Sequence, residues 1–222
     1  MKIIDVPQSG KCGLTVTYPS RFGLTRRAWV VPANPKTAEQ LAVRSSLALR
    51  AAEWDALTEA QQDAWIALAA TVQTKSKLGQ SGPMTGLQLY VMQNANLAQV
   101  GEPTVNSPNP KPTFDPNVVS ALTIANVSNV ISIKLTCSGS SDAFNLVSAA
   151  APQKSGTRRA VAINYLGELP EVVAGKADIT ALYTAKYGVP SVGNRIFVQS
   201  QQSLDGWKDV PGAYTAVVPA SS

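Results

Sequence analysis

The 222-residue chain contains no histidine. That absence removes every mechanism built on imidazole: Ser-His-Asp and Cys-His nucleophile activation, zinc held through His, and a His pH switch. Cysteine is nearly as scarce, with only Cys12 and Cys137. They lie far apart and form no C-x-x-C pair, so a bridge between them and two free thiols are both open, with free thiols favoured. Charged residues make up 15% of the chain, below the usual quarter. No run of five like charges occurs, which argues against a nucleic-acid packaging tail. Long apolar runs are missing too. The longest helical one, Ala64 to Val72, is far short of a membrane span, and Met1 to Val6 offers no apolar stretch of signal-peptide length. The expectation is a chain made in the cytoplasm without a signal peptide and not inserted in a membrane.

The usual chemical motifs are also wanting. Lys154-Ser155-Gly156 lacks the Gly-rich loop that a phosphate cradle needs. No carboxylates cluster at EF-hand spacing, so no metal or cofactor is expected. Glu168 and Glu171 flank Pro170 and resemble a carboxylate pair only superficially; a surface turn accounts for them. The chain is expected not to be an enzyme.

What is present is uneven charge. Residues 1–36 hold Lys2, Lys11, Arg21, Arg26, Arg27 and Lys36 against Asp5 alone, while the other 186 residues carry 13 basic and 13 acidic groups. The whole net charge of +5 therefore sits at the N-terminal end. Such an arm suits an acidic neighbour, an anionic surface or a phosphate backbone.

The pattern along the chain gives an α+β protein in four parts. Residues 1–33 read as an extended basic arm, with strands at Thr15 to Tyr18 and Ala28 to Val31 around a turn at Pro19 to Gly23. Residues 34–101 read as a small helical module. Asn34-Pro35 and the capping box Thr37 to Gln40 open a helix that ends near Asp55, and a second box, Thr58 to Gln61, opens the next. The short connection predicts an antiparallel αα-hairpin, with Trp54 and Trp65 in the module's core. A DNA-reading helix-turn-helix is rejected, because the second helix presents Glu59 and Asp63 and no basic residue before Lys75. Gln73 to Gly82 reads as a polar, flexible connection, and a third helix spans Met84 to Val100, with Asn94 on its apolar stripe as a satisfied core amide.

Residues 102–116 contain five prolines and read as a semi-rigid spacer. Residues 117–222 then turn to β. Strands are expected at 118–125, 130–137, 143–149, 158–166, 171–178, 194–203 and 213–218, forming an antiparallel β-sandwich. Asp178 to Gly188 interrupts them as a short helix capped by Asp178 or Thr180, and Asp205-Gly206 reads as a hairpin turn.

Residues 117–219, with Val192 to Gln199 and Ala213 to Val218 where the last two strands would stand, resemble a fibronectin type III-like or immunoglobulin-like sandwich, although the early-strand Trp of such domains is missing. The front half, through Ser20 to Gly23, Asn34 to Thr37, Trp54 to Thr58 and Met84 to Gly86, resembles small proteins of phage and prophage type. That resemblance implies a virion or other extracellular particle component, such as a capsid, decoration or tail protein. Its partners would be copies of itself or other particle proteins, with nucleic acid the less favoured partner.

Two sets of residues are candidates for binding. Arg21, Phe22, Arg26, Arg27 and Trp29 interleave guanidinium and aromatic groups, a mixture common in protein interfaces and in single-strand nucleic-acid grooves; the assembly interface is favoured. Tyr183, Tyr187 and Trp207 fall on connections of the sandwich. There they would either form a recognition surface, for instance for glycan, or cap the ends of the sandwich.

Overall fold

The computed structural model describes residues 9–20, 23–74, 82–139 and 141–221. Arg21, Phe22 and most of the Gln73 to Gly82 connection lie outside the described residues. The chain divides into two compact units, Met1–Arg44 and Ser45–Ser222.

In the first unit, β1 (Gly10–Cys12), β2 (Thr15–Ser20) and β3 (Gly23–Ala28) form a three-stranded antiparallel sheet in the order β1-β2-β3. Thr15 to Thr17 supply the β-branched run that favours a strand. The hairpin differs from the sequence expectation. Pro19 pairs with Leu24 and Ser20 with Gly23, so Pro19 belongs to the strand and only two residues separate β2 from β3. That tight connection brings Gly23 to Ala28 into register, and Trp29 to Val31 lie beyond the strand. Pro19 also sits past the stretch of β2 that β1 accompanies, an edge position that proline tolerates. Helix α1 (Ala38–Asp55) opens at the Thr37 box, where the Thr37 hydroxyl accepts from the Gln40 N–H at 3.3 Å, and not at Asn34-Pro35: Asn34 Oδ1 accepts from the Lys36 N–H at 3.3 Å, and Lys36, with a φ of 48°, lies before the helix.

In the second unit, α2 (Glu59–Ala69) and α3 (Gly86–Gln99) each open with a complete capping box, Thr58 with Gln61 and Thr85 with Gln88. The second box sets the start of α3 two residues later than Met84. The helices that pack side by side are α2 and α3, not α1 and α2. Gly86 explains the choice: a Cβ there would come within 2.8 Å of Ile66 and 2.9 Å of Trp54, so only glycine lets α3 seat against them. Trp65, Ala69, Leu89 and Tyr90 are buried between the helices, and Tyr90 meets Trp65 and Trp54 edge-on at 5.2 and 5.7 Å.

The Pro-rich segment is not a free spacer. Asn94, fully buried, takes both backbone polar groups of Val105, accepting its N–H at 2.8 Å and donating to its C=O at 3.2 Å. Gln93 does the same for Asn109, at 3.1 and 2.9 Å. The Trp65 indole donates to Asn106 O at 2.8 Å. Proline prevents this stretch from forming ladder hydrogen bonds of its own, and buried amides of α3 satisfy it instead. The sequence boundary at residue 101 therefore does not separate two bodies.

The sandwich is as expected in outline. One antiparallel sheet runs β4 (Val119–Val127), β5 (Val130–Cys137), β10 (Lys176–Asp178), β9 (Val172–Val173). The other is built on β11 (Asn194–Leu204), which pairs with β6 (Phe144–Ala149) and β7 (Gln153–Lys154), and with β13 (Gly212–Val217) and β12 (Trp207–Lys208); β8 (Asn164–Glu168) adds beyond β6. The alternation of β5 puts Ile133, Leu135 and Cys137 into the core beside Val147, Ala149, Ile196 and Val198. The expected strand over 158–166 is displaced to β8, and that over 171–178 folds back on itself as the β9–β10 hairpin, turned at Ala174-Gly175 with both φ positive. Helix α4 (Thr180–Tyr187) crosses from β10 to β11, and Asp178 Oδ1 accepts from the Thr180 N–H at 2.9 Å.

Candidate interaction surface

The first unit is a surface with almost no interior. Among its described residues only Thr17 is buried, and every residue from Ala38 to Leu49 of α1 is exposed. Leu14 (79% exposed), Leu24, Val30, Val31, Leu41, Val43 (69%), Leu47 and Leu49 all face solvent. A three-stranded sheet needs an apolar face packed on something, and a short helix without tertiary packing is marginal in water.

The β pleat sorts the charged and aromatic side chains onto one face. Lys11, Val16 and Arg27 are direct cross-strand neighbours, and Tyr18 lies two positions along from Val16. The Trp29 N–H donates to Leu14 O at 2.7 Å, which holds the indole just beyond the end of β3. Lys11 Nζ then lies 3.5 Å from the Trp29 ring centroid, and the Arg27 guanidinium 5.6 Å from that of Tyr18. Arg26 points to the opposite face, where its Nε donates to the Thr17 hydroxyl at 3.4 Å. Of the sequence-predicted interface, Arg27 and Trp29 share this face, Arg26 does not, and Arg21 and Phe22 lie outside the described residues. Lys11 and Tyr18 were missed; the two-residue alternation carried back through β2 into β1 would have found them.

The expected recognition residues occupy the interior. Tyr183 is fully buried in the sandwich core, and its hydroxyl donates to Ala150 O at 3.1 Å. Burial and the neighbouring Tyr187 push its ionisation far above that of free tyrosine. Tyr187 is half-buried and donates to Ala149 O at 2.8 Å while accepting from Asn164 Nδ2 at 3.1 Å. Trp207 is 6% exposed, packed with Trp65 and Tyr90, and its indole donates to Asn109 O at 2.9 Å. These residues cap the sandwich and lock it to the helices, so they do not form a recognition surface.

In the second unit a cavity of about 780 Å³ lies between α2, α3 and the β12 region, with Leu68, Val72, Met84, Met92 and Trp207 among its walls. Lys208 borders it, donating to Gln99 Oε1, and burial lowers its pKa. Lys111, Lys208 and Asp209 are the charged residues among its described walls. Glu168 and Glu171 are both exposed around the end of β8, as a surface turn would have them. Among the described residues no group of His, Cys, Asp and Glu could hold a metal ion, and no helix is long and apolar enough to cross a membrane. Both cysteines are free thiols, Cys12 exposed on β1 and Cys137 buried, where burial raises its pKa. Compared with protein-family models, with curated proteins and with solved structures, the chain matches none.

Proposed function

We propose that the chain is a non-enzymatic structural subunit of a multi-copy assembly, anchored to its neighbours through the first unit and the exposed part of α1. The observation that carries this reading is the first unit itself: an ordered sheet and helix with one buried residue among those described, and with apolar side chains turned outward along their length. Exposed apolar area on this scale marks an interaction surface. The sandwich agrees with the role. Its strands divide into a four-stranded sheet, β4-β5-β10-β9, and a six-stranded sheet built on β11 with β6, β7, β8, β12 and β13, a two-sheet arrangement of the kind that the proposed immunoglobulin-like resemblance calls for. Within this reading a phage-like virion is the favoured particle, on the strength of the resemblance read from the front half of the sequence alone. Its motifs serve architecture here: Thr37 and Thr58 cap helices, and Gly86 seats α3. The alternative of a glycan-binding module loses its support, since Tyr183 and Trp207 are buried and the half-buried Tyr187 spends its hydroxyl on Ala149 O and Asn164.

The test is the mass in solution across a concentration series, by size-exclusion chromatography with light scattering. A discrete multimer, or growth into large particles, is expected from the 23.3 kDa chain. Deleting residues 1–33 is expected to leave a folded monomer. A full-length monomer at every concentration, or a truncated chain that assembles normally, overturns the reading.

A further inference from the structure

The first unit carries the whole net charge, and the second is neutral overall. Residues 1–44 hold seven basic and two acidic residues, whereas residues 45–222 hold twelve of each. Among the described residues the ion pairs are Arg50–Glu53 and Lys134–Asp178. Among the described residues, Lys11 and Arg27 on the sheet face form no ion pair with a carboxylate.

The matching surface lies on α2. Its solvent face carries Glu59 and Asp63 one turn apart, followed by Ile66, 52% exposed, and the exposed Ala67 and Ala70; Asp55 is exposed just before it. Glu59 is explained by the helix alone, because a carboxylate in the first turn suits the N-terminal dipole. Asp63 is not: it lies in the second turn, and a like-charge pair at this spacing is unfavourable unless a cation answers it. Neither carboxylate forms an ion pair among the described residues. The helix thus presents acid at one end and an apolar patch at the other. The sheet face presents Lys11 and Arg27 beside Trp29 and Tyr18. Both surfaces have an apolar part with charge beside it, of opposite sign, which is the layout of protein interfaces.

We propose that the sheet face formed by Lys11, Tyr18, Arg27 and Trp29 in one copy docks on the Glu59–Asp63–Ile66 face of α2 in a second copy. The inference rests on the assembly reading above and names the contact that builds it. Because the two surfaces differ, the contact is heterologous and can repeat from copy to copy.

Charge reversal with rescue tests it on the full chain. The variant Lys11→Glu/Arg27→Glu and the variant Glu59→Lys/Asp63→Lys, alone, are each expected to raise the concentration at half-assembly by on the order of tenfold or more. The quadruple variant, and an equimolar mixture of the two double variants, are expected to recover assembly, since every contact again joins opposite charges. All the substituted side chains are exposed, and circular dichroism checks that each variant folds. Assembly indifferent to reversal of α2, or not rescued by the mixture, overturns this contact while leaving the assembly reading intact. Loss on reversing the sheet alone also overturns it and points to another anionic partner, such as nucleic acid. A wild-type chain that never assembles overturns both.

Discussion

Gly206 is a point of close approach between the sandwich and the helices. It follows Asp205 in the β11–β12 turn, both with positive φ, and a Cβ there would meet Gln93 O at 2.8 Å. Gly206→Ala is therefore expected to cost about 2–3 kcal/mol, from the left-handed backbone and the clash together. Gly193→Ala, at a similar φ but with open space around it, is expected to cost only about 1 kcal/mol; urea denaturation compares the two. Asn94→Ala is expected to lose about 1–3 kcal/mol, because the N–H and C=O of Val105 lose their partner. The tyrosines give a pH signature. Burial raises the pKa of Tyr90, Tyr165, Tyr183 and Tyr214, so the native chain keeps protons that the unfolded chain releases above about pH 10. Stability contributed by these groups is complete below that pH and falls as pH rises beyond it, which urea midpoints at pH 9 and 11 will show.

Among the elements, α1 is the one whose order depends most on its surroundings. Its residues Ala38 to Leu49 bury nothing, and a free helix of this length is only marginally stable. In dilute monomer these amides are expected to exchange quickly, and in assembled protein to gain protection; equal exchange in both states would exclude α1 from the interface. Local signals wrote most elements plainly. Thr58 and Gln61 announce α2, and the Ile131 to Cys137 alternation gives β5 to the residue, whereas α4 starts from Ile179 without a side-chain cap and not from the expected cap at Asp178 or Thr180. What escaped sequence reading depends on partners far along the chain. The register of β3 follows from a two-residue connection, the α2–α3 pairing from Gly86, and the fate of the prolines from Gln93 and Asn94. For the surface, Arg27 and Trp29 were legible because they are near in sequence, whereas Lys11 joins them only through strand pairing. Tyr183, Tyr187 and Trp207 misled because a connection between strands usually lies outside, and here α4 and the β11–β12 turn fold inward.

At the scale of the whole molecule, the shared core of helices and sandwich sets how the second unit comes apart. Trp207 of β12 packs with Trp65 and Tyr90, and both Gln93 and Trp207 bond Asn109. Calorimetry of residues 45–222 is expected to give one cooperative transition; two resolved transitions would mean that the helices and the sandwich melt separately.

The eleven residues of β11 span about 35 Å at strand geometry. Their middle is the hydrogen-bonded spine of one sheet, and just past their end Gly206 and Trp207 are held by Asn96 and Asn109. A pull on α3 is thus delivered along this strand into the sandwich, loading its ladders in shear, where many bonds resist together. The proline-rich stretch, pinned along its length by Trp65, Gln93 and Asn94, runs beside this path as a brace, so a tug at the helices has no slack to take up before the sandwich feels it.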